Sequence, residues 1–466
     1  MFFRQYYLDC LSHASYLIGD TTTGRAVVVD PQRDVAGYLA DASANGLTIV
    51  KVLETHFHAD FVSGHLELAA ATGAAIGYGA AAAGRVEFPI ETFRDGEDIV
   101  LGDVVLEVRA TPGHTPESIS VVIYPNGKAS EPYGVLTGDT MFIGDVGRPD
   151  LLAAAGVTAD TLARQLYHSV HEQLLTLPDT TRVYPAHGAG SACGKNLSTD
   201  TVSTIGEQRR NNYALAPMSE DDFVEAVTHG QTVAPLYFSF AANRNREVHD
   251  LLAPRANLNI LTLDEVVARQ RDGAIVLDTR DDMTFATGHL RSSVNVGLGG
   301  RFAEYAGEVM RPGTPIILVC EPGTEAEATV RLARIGFDRV LGALAAPIET
   351  FITHPDHVEQ ASRLSATTLA DRIIAVRDLV LIDVRNPGEV ALGAISGAHN
   401  VSLPNLLNAI DELDPRAPTV VYCAGGYRSS IAASLLGAHG FTDVSDLVGG
   451  YNAWATHQAL PTSPAN

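Results

Sequence analysis

Four short segments carry the residue types that bind metals: Thr-His-Phe-His-Ala-Asp at 55–60, Thr-Pro-Gly-His-Thr at 111–115, Leu-Thr-Gly-Asp-Thr at 136–140 and Pro-Ala-His-Gly at 185–188. Imidazole nitrogens and carboxylate oxygens suit borderline divalent metals, and a site held on strand ends is rigid enough to keep a position open for chemistry. A lone histidine such as His229 or His439 is by default an ordinary loop or core residue. Four clusters, each flanked by small turn residues, form a metal-site pattern instead. A second chemistry lies near the other end of the chain, where TVVYCAGGYRSSIAASLL (419–436) sets Cys423 between an apolar run and a helical one. Successive loop amides, a helix N-terminus and Arg428 all favour negative charge there, which stabilises a thiolate or persulfide. Gly425 and Gly426 let the loop wrap closely around sulfur. The bland alternative for Cys423 is a buried structural thiol.

The elements that must position these groups follow from the pattern. IVKVLET (49–55) is β-branched and apolar and reads as a buried strand delivering His56, His58 and Asp60 at its end. VVLEVRATPGH ends a strand in a Thr-Pro-Gly turn presenting His114, and GVLTGD ends another on Asp139. The segment from about 206 to 255 reads as helical, with Ser219 before acidic residues as a helix start, and completes the metal domain. The Ala- and Gly-rich run at 69–84 reads as a low-complexity surface or helix segment without chemistry.

The last two fifths of the chain repeat themselves. AIVLDTRDDMTFATGHLRSSVNV (274–296) followed by PIILVCEPGTEAEATVRLARIGF (315–337) has the same order as LVLIDVRNPGEVALGAISGAHNVSLP (379–404) followed by the Cys423 loop, so Asp278 pairs with Asp383 and Cys320 with Cys423. In the first copy Arg428 and Ser429 are matched by Glu325 and Ala326, Glu321 and Glu327 add negative charge, and Pro322 removes a loop amide. Nearby carboxylates disfavour a thiolate. This copy is therefore expected to be degenerate and structural, with a regulatory or secondary sulfur-carrier role for Cys320 as the sharper possibility.

Together THFHAD, TPGHTPES, LTGDTMFIGDVGRPDL and YPAHG resemble the metallo-β-lactamase fold and, within it, the persulfide dioxygenase branch, FIGDVGRPDL being the most specific piece. The resemblance implies one Fe(II) per chain held by His56, His114 and Asp139, a two-histidine, one-carboxylate face with open positions for O2 and substrate. It makes His58, Asp60 and His187 outer groups that orient ligands and water. Tyr184 would place its hydroxyl near the metal, and Arg148 would bind the anionic part of a thiol substrate or hold its loop together. Cys193 would sit near the mouth as a sulfane-sulfur acceptor, partly activated by Lys195, or else be a small residue in a Gly-rich turn. Phe61 stands where hydrolases of the fold usually carry a second-site histidine, which weakens a second metal; a dinuclear zinc thioester hydrolase of the glyoxalase II type is the alternative. The Cys423 region resembles a rhodanese, which implies Cys423 as nucleophile, Arg428 as a catalytic group beside it, and Gly425, Gly426 and Ser429 as substrate-binding residues of the loop.

The expected architecture is thus α/β: a metallo-β-lactamase αββα sandwich over 1–255, a degenerate rhodanese-like domain over 256–359 and an active one over 360–466, both with a parallel sheet. A length of 466 residues suits about three domains at 100–200 residues each. The expected chemistry is oxidation of a low-molecular-weight thiol persulfide, of glutathione or coenzyme A type, by O2 to sulfite and thiol, coupled to sulfur transfer through Cys423 that makes or uses thiosulfate. A net charge of −23 argues against nucleic acid and anionic membrane as partners. Cys10, Cys193, Cys320 and Cys423 lie too far apart for a disulfide framework, and MFFRQYYLDC lacks a signal-peptide core, so a reducing, cytoplasmic setting is expected. A homo-oligomer is the expected state.

Overall fold

The computed structural model describes residues 1–151, 156–252 and 258–459. The chain forms two compact units, the first of Met1–Gln231, Phe238–Ala253 and Arg334–Gly336, the second of Thr232–Tyr237, Pro254–Ala333 and Phe337–Asn466. The first holds two six-stranded sheets, each in simple sequential order of neighbours. Strict alternation in the strands explains the layering. Tyr16, Ile18, Val27, Val29 and Leu53 of one sheet meet Leu106, Val108, Val121, Ile123 and Leu136 of the other, forming the inner core. Leu17, Ala26, Val28 and Val52 point outward onto Tyr38 and Leu68 of the helices, and Val122, Val135 and Val183 pack on Leu166 and Phe223 beyond the second sheet. Both faces of each sheet are therefore dry, the condition under which strands read as continuous apolar runs. The architecture is an αββα sandwich.

The 69–84 run is mixed: Ala70, Ala71, Gly73, Ala80, Ala81, Ala83 and Gly84 are exposed, and its start ends the helix His65–Thr72, as a surface or helix segment would, while its middle enters the core. Ala75–Gly79 is a strand buried along most of its length. A Cβ on Gly77 would stand 2.8 Å from the Phe93 ring and one on Gly79 would stand 2.6 Å from the Glu117 carbonyl, so the compositional bias reflects close packing. The region after 205 is helical, at Ile205–Asn211, Glu220–Thr228 and Phe238–Arg244, and Ser219 caps the second of these in a reciprocal capping box with Asp222.

The second unit contains two five-stranded sheets that are parallel throughout. Their strand orders match: Ile260–Leu261, Val340–Leu344, Ile316–Val319, Ile275–Asp278, Val294–Asn295 in one, and Ser362–Leu364, Val444–Leu447, Thr419–Tyr422, Val380–Asp383, His399–Asn400 in the other. The duplication extends to side chains. Arg280 grips Asp278 as Arg385 grips Asp383, at 2.6 Å in both copies, while Asn295 and Asn400 each donate to the two flanking carbonyls at 2.8–3.0 Å. The expected boundary at 255/256 lies outside the described residues. Near the other one, Val358–Glu359 still pairs with His289–Leu290 of the first copy, and Ser362–Leu364 opens the second sheet. Among the described residues no helix is long and apolar enough to cross a membrane.

Candidate metal centre and sulfurtransfer loop

The four expected loops converge in the first unit. Thr48–Leu53 runs into His56, Val105–Ala110 into His114, Gly134–Gly138 into Asp139 and Arg182–Pro185 into His187. The ligand atoms of His56, His114 and Asp139 lie within 4.8 Å of one another, all of them buried. Asp139 Oδ2 is 3.8 Å from His56 Nε2 and 3.5 Å from His114 Nε2. Each ring is turned by its other nitrogen. His56 Nδ1 lies 3.0 Å from Thr55 Oγ1, which itself donates to Asp30, so the ring donates to the hydroxyl; His114 Nδ1 donates to the Arg148 carbonyl at 3.0 Å and His187 Nδ1 to the Ser12 carbonyl at 3.2 Å. All three thereby present Nε2 inward, the tautomer that metal-bound histidines are held in.

Donor chemistry fits a divalent metal. His56 Nε2, His187 Nε2 and both Asp139 oxygens are buried without a hydrogen-bond partner among the described residues, which would be costly unless a cation completes them. Burial and the neighbouring His58 and His114 hold the His56 imidazole well below the ordinary histidine range, so it is neutral and able to ligate.

His58 faces the other way. Its Nε2 is 3.0 Å from Asp30 and 3.3 Å from Glu54; burial opposes its protonation, but those two carboxylates outweigh it and raise the pKa well above the usual value. His187 Nε2 lies 3.2 Å from Asp60 and 3.5 Å from Asp139. His58, Asp60 and His187 thus border the centre, and Phe61 packs against the His58 ring at 4.4 Å.

Asp30, Glu54, His65, His13 and Asn245 escaped the sequence reading. Asp30 accepts from the Thr55 amide at 2.7 Å and hydroxyl at 2.9 Å, and so orients His56 through Thr55 and His58 directly. Its only signal is a carboxylate closing the apolar run Arg25–Val29. Asn245, from the helical segment, donates to the carbonyls of His58 and Phe61 at 2.8 Å each, clamping the ligand loop from far along the chain.

The roles expected of Tyr184 and Lys195 change, and of the two expected of Arg148 the loop-holding one fits. The Tyr184 hydroxyl meets Tyr133 at 3.4 Å inside the sheet core, because the residue alternates away from the centre that His187 faces. Arg148 is buried in a bidentate pair with Asp150 (2.7 Å twice) and donates to the Ala192 carbonyl, so it holds its loop rather than offering a free cation to substrate. Gly147 before it is obligatory, since a Cβ there would overlap the Asp139 carbonyl at 1.9 Å. Lys195 bonds the carbonyls of Ala226 and His229 and does not activate Cys193. Cys193 is buried within 4.8 Å of Asp139 and His187 ligand atoms, and burial together with Asp60 and Asp139 pushes its thiol up; a bound cation would reverse that balance.

In the second unit, Cys423 follows Thr419–Tyr422 and precedes the helix Tyr427–Ala438. The Gly426 amide donates to Cys423 Sγ at 3.1 Å, and Gly426 has φ of +108°, a glycine conformation. Gly425 has open space around its Cα, so the special freedom expected of both glycines is needed at Gly426 alone. Ser429 turns its hydroxyl onto the Gly426 carbonyl at 3.0 Å, bracing the loop instead of facing substrate. Arg428 is engaged by Glu389 at 2.7 and 2.8 Å, so the amide, not the guanidinium, makes the direct contact with sulfur.

The first copy loses that contact. Gly323, the counterpart of Gly426, donates its amide to the Glu325 carboxylate at 3.0 Å. Burial, with Glu325 and Asp278 nearby, pushes the Cys320 thiol up to about 12. Cys320 and Cys423 are equally buried, at 3% and 2% exposure, so access does not separate them. Cys320 stays a thiol near neutral pH. Iodoacetamide is therefore expected to leave Cys320 unmodified, at least about 100-fold slower than Cys423; equal labelling of the two peptides by mass spectrometry would contradict the degenerate assignment.

Fold and site together define a metallo-β-lactamase superfamily domain joined to two rhodanese-like repeats. Models of these families match residues 8–187 (metallo-beta-lactamase superfamily) and 262–344 and 365–457 (rhodanese-like domain). The human mitochondrial persulfide dioxygenase ETHE1 is 32% identical over 233 residues, covering 50% of this chain and 82% of that protein. The chain belongs to the ETHE1 persulfide dioxygenase family. A crystal structure described as a metallo-beta-lactamase from Staphylococcus aureus subsp. aureus COL is 31% identical with a TM-score of 0.66, covering 74% of this chain and 98% of that one. A hydroxyacylglutathione hydrolase of Polaromonas sp. is 36% identical over 174 residues, 37% of this chain and 61% of that protein. The protein is an enzyme of dioxygenase and sulfurtransferase type, acting in sulfur metabolism.

Proposed function

We propose that the protein oxidises a low-molecular-weight thiol persulfide with O2 and water to sulfite and thiol at one Fe(II), and that Cys423 moves a second sulfane sulfur to sulfite, making thiosulfate. The observation that carries the reading is the buried, inward Nε2, Nε2, carboxylate set of His56, His114 and Asp139, with the His56 nitrogen and both Asp139 oxygens unsatisfied among the described residues, beside a Phe61 that cannot ligate. A non-haem iron in that set supplies one-electron chemistry toward O2 and a Lewis-acid position for sulfur. The chain does the rest. Thr55 and the Arg148 and Ser12 carbonyls hold the imidazoles in register, Asp60 and His187 face the open side with hydrogen-bonding groups, and Phe61 and Phe142 line it with apolar surface that keeps water out. Cys193, at the edge of the same centre, is positioned to receive a sulfur atom.

At Cys423 the thiolate attacks the outer sulfur of R–S–SH, the S–S bond breaks and R–SH leaves with the proton. The enzyme persulfide then gives its outer sulfur to sulfite, and Cys423 returns as thiolate. The Gly426 amide stabilises sulfur charge in both steps. Because two sites share sulfite, the fusion keeps that product local.

The proximity of His58, Asp60 and His187 favours one other reading, a dinuclear zinc thioesterase. Anaerobic purification, metal analysis and oxygen uptake with glutathione or coenzyme A persulfide separate the two. One iron per chain with oxygen consumed is the expected result; two zincs and no uptake would sink the dioxygenase reading and leave the hydrolase. The dioxygenase proposal extends to localisation and assembly: a cytoplasmic homo-oligomer, checked by fractionation and by sedimentation.

A further inference from the structure

The Cys423 loop is held at its two ends by different parts of the second unit. Its start is fixed within its own repeat, where the Tyr451 amide donates to the Cys423 carbonyl at 2.6 Å and the Asn452 amide to Ala424 at 3.1 Å. Its end is fixed by the degenerate repeat. The Tyr427 hydroxyl reaches the carbonyl of Gly297 at 2.8 Å and of Gly299 at 3.2 Å, and the Tyr427 ring stands edge-on to Tyr305 at 5.2 Å and 87°. The acceptor loop is itself rigid: Arg331 bonds the Leu298 carbonyl and, at 2.6 Å, that of Gly300, while the Leu298 amide donates to Thr279 at 2.8 Å.

Tyr427 is the first residue of the helix that follows the loop, and its neighbour Gly426 carries the amide that contacts sulfur. A peptide unit whose next residue is pinned cannot swing, so its N–H stays aimed at Sγ as charge appears there. We infer that Tyr427 is a positioning residue for the Cys423 nucleophile, and that the degenerate repeat, having lost its own sulfur contact, supplies through Gly297 and Gly299 the anchor that keeps the active repeat's loop in working geometry. The inference rests on the sulfurtransferase reading of Cys423 and assigns the first repeat a task within that reaction. A purely structural account of Tyr427 predicts lower stability with an unchanged nucleophile, and the two accounts separate experimentally.

In the full-length protein, Tyr427→Phe removes one hydroxyl and keeps the ring on Tyr305. Alkylation of Cys423 by iodoacetamide at pH 7.5, followed by mass spectrometry, is expected to slow by about three- to tenfold, the range a single hydrogen bond commands. kcat for sulfur transfer from thiosulfate to cyanide should fall by the same factor with KM for thiosulfate within about twofold. Tyr305→Leu keeps the hydroxyl bond but removes the ring contact and should give a smaller slowing in both readouts, which preserves the test should the first variant fold poorly. Wild-type alkylation and kcat in both variants would overturn the inference, as would a rise in KM at constant kcat, which would make Tyr427 a donor-binding group. If the wild-type protein transfers no sulfur from thiosulfate, the sulfurtransferase reading fails on its own, and the alkylation rates still decide whether Tyr427 positions the thiol.

Discussion

Asp139→Asn is expected to abolish persulfide-dependent oxygen uptake, by at least about a thousandfold, and to strip the protein of iron, while leaving the metal-free protein no less stable than the metal-free wild type. The two halves of this expectation have one cause. Asp139 stands at the meeting point of His56 and His114, its oxygens have no hydrogen-bond donor among the described residues, and the residue is 1% exposed. Buried carboxylate oxygens without donors are costly unless a cation completes them. The site is therefore destabilising until filled, and metal binding returns that energy as folding stability. Asparagine keeps the shape and removes the charge, so the apo protein is relieved and the holo protein loses the ligand that neutralises the ion. Iron content by plasma emission, oxygen electrode traces and melting curves with and without added Fe(II) give the three readouts. Retained oxygen uptake in the asparagine variant, or a wild-type melting temperature indifferent to iron, would remove Asp139 from the centre.

How much of this site could be read from the chain depended on whether its signal was local. The ligand loops were legible because each combines an apolar run, a small turn and a metal-type residue in close succession: the strand end supplies rigidity and the turn aims the side chain at the common centre. Likewise Cys423 was legible from its flanking strand, glycines and helix. The supporting groups were not. Asp30 grips Thr55 from 25 residues away and so orients two histidines, and Asn245 clamps the His58 loop from 187 residues away; such contacts exist only once the sheets close. Tyr184 shows the converse error, since its motif neighbour His187 invites a shared role, yet β alternation sends the two side chains to opposite faces. Composition described the exposed and helical parts of 69–84 and missed the strand Ala75–Gly79, where Gly77 and Gly79 look like low complexity in one dimension and are close-packing solutions in three. At Glu325 the carboxylate expected to disfavour a thiolate also captures the Gly323 amide, a contact that charge counting along the chain could not supply.

Cys423→Ser is expected to leave oxygen uptake with thiol persulfide at the wild-type rate, to eliminate thiosulfate formation, and to make sulfite accumulate in its place. Serine matches the thiol in size and keeps the Gly426 amide contact, so the fold of a residue that is 2% exposed is preserved. What is lost is the nucleophile: an alkoxide is inaccessible near neutral pH, and no other thiol of the second unit substitutes, since Cys320 is held protonated by burial, Glu325 and Asp278. The candidate metal centre belongs to the other compact unit and the residues that would hold the ion include none of the Cys423 loop, which is why oxidation and transfer should separate cleanly. The product ratio carries more information than either rate. In wild-type protein supplied with excess persulfide, each sulfite released at the centre should meet a persulfidated Cys423, so thiosulfate should predominate and free sulfite stay low; in the serine variant the ratio should invert with total oxygen consumed unchanged. Thiosulfate formed by the variant at an undiminished rate would mean that sulfite captures persulfide without Cys423, and a parallel loss of oxygen uptake would mean that the two chemistries depend on each other.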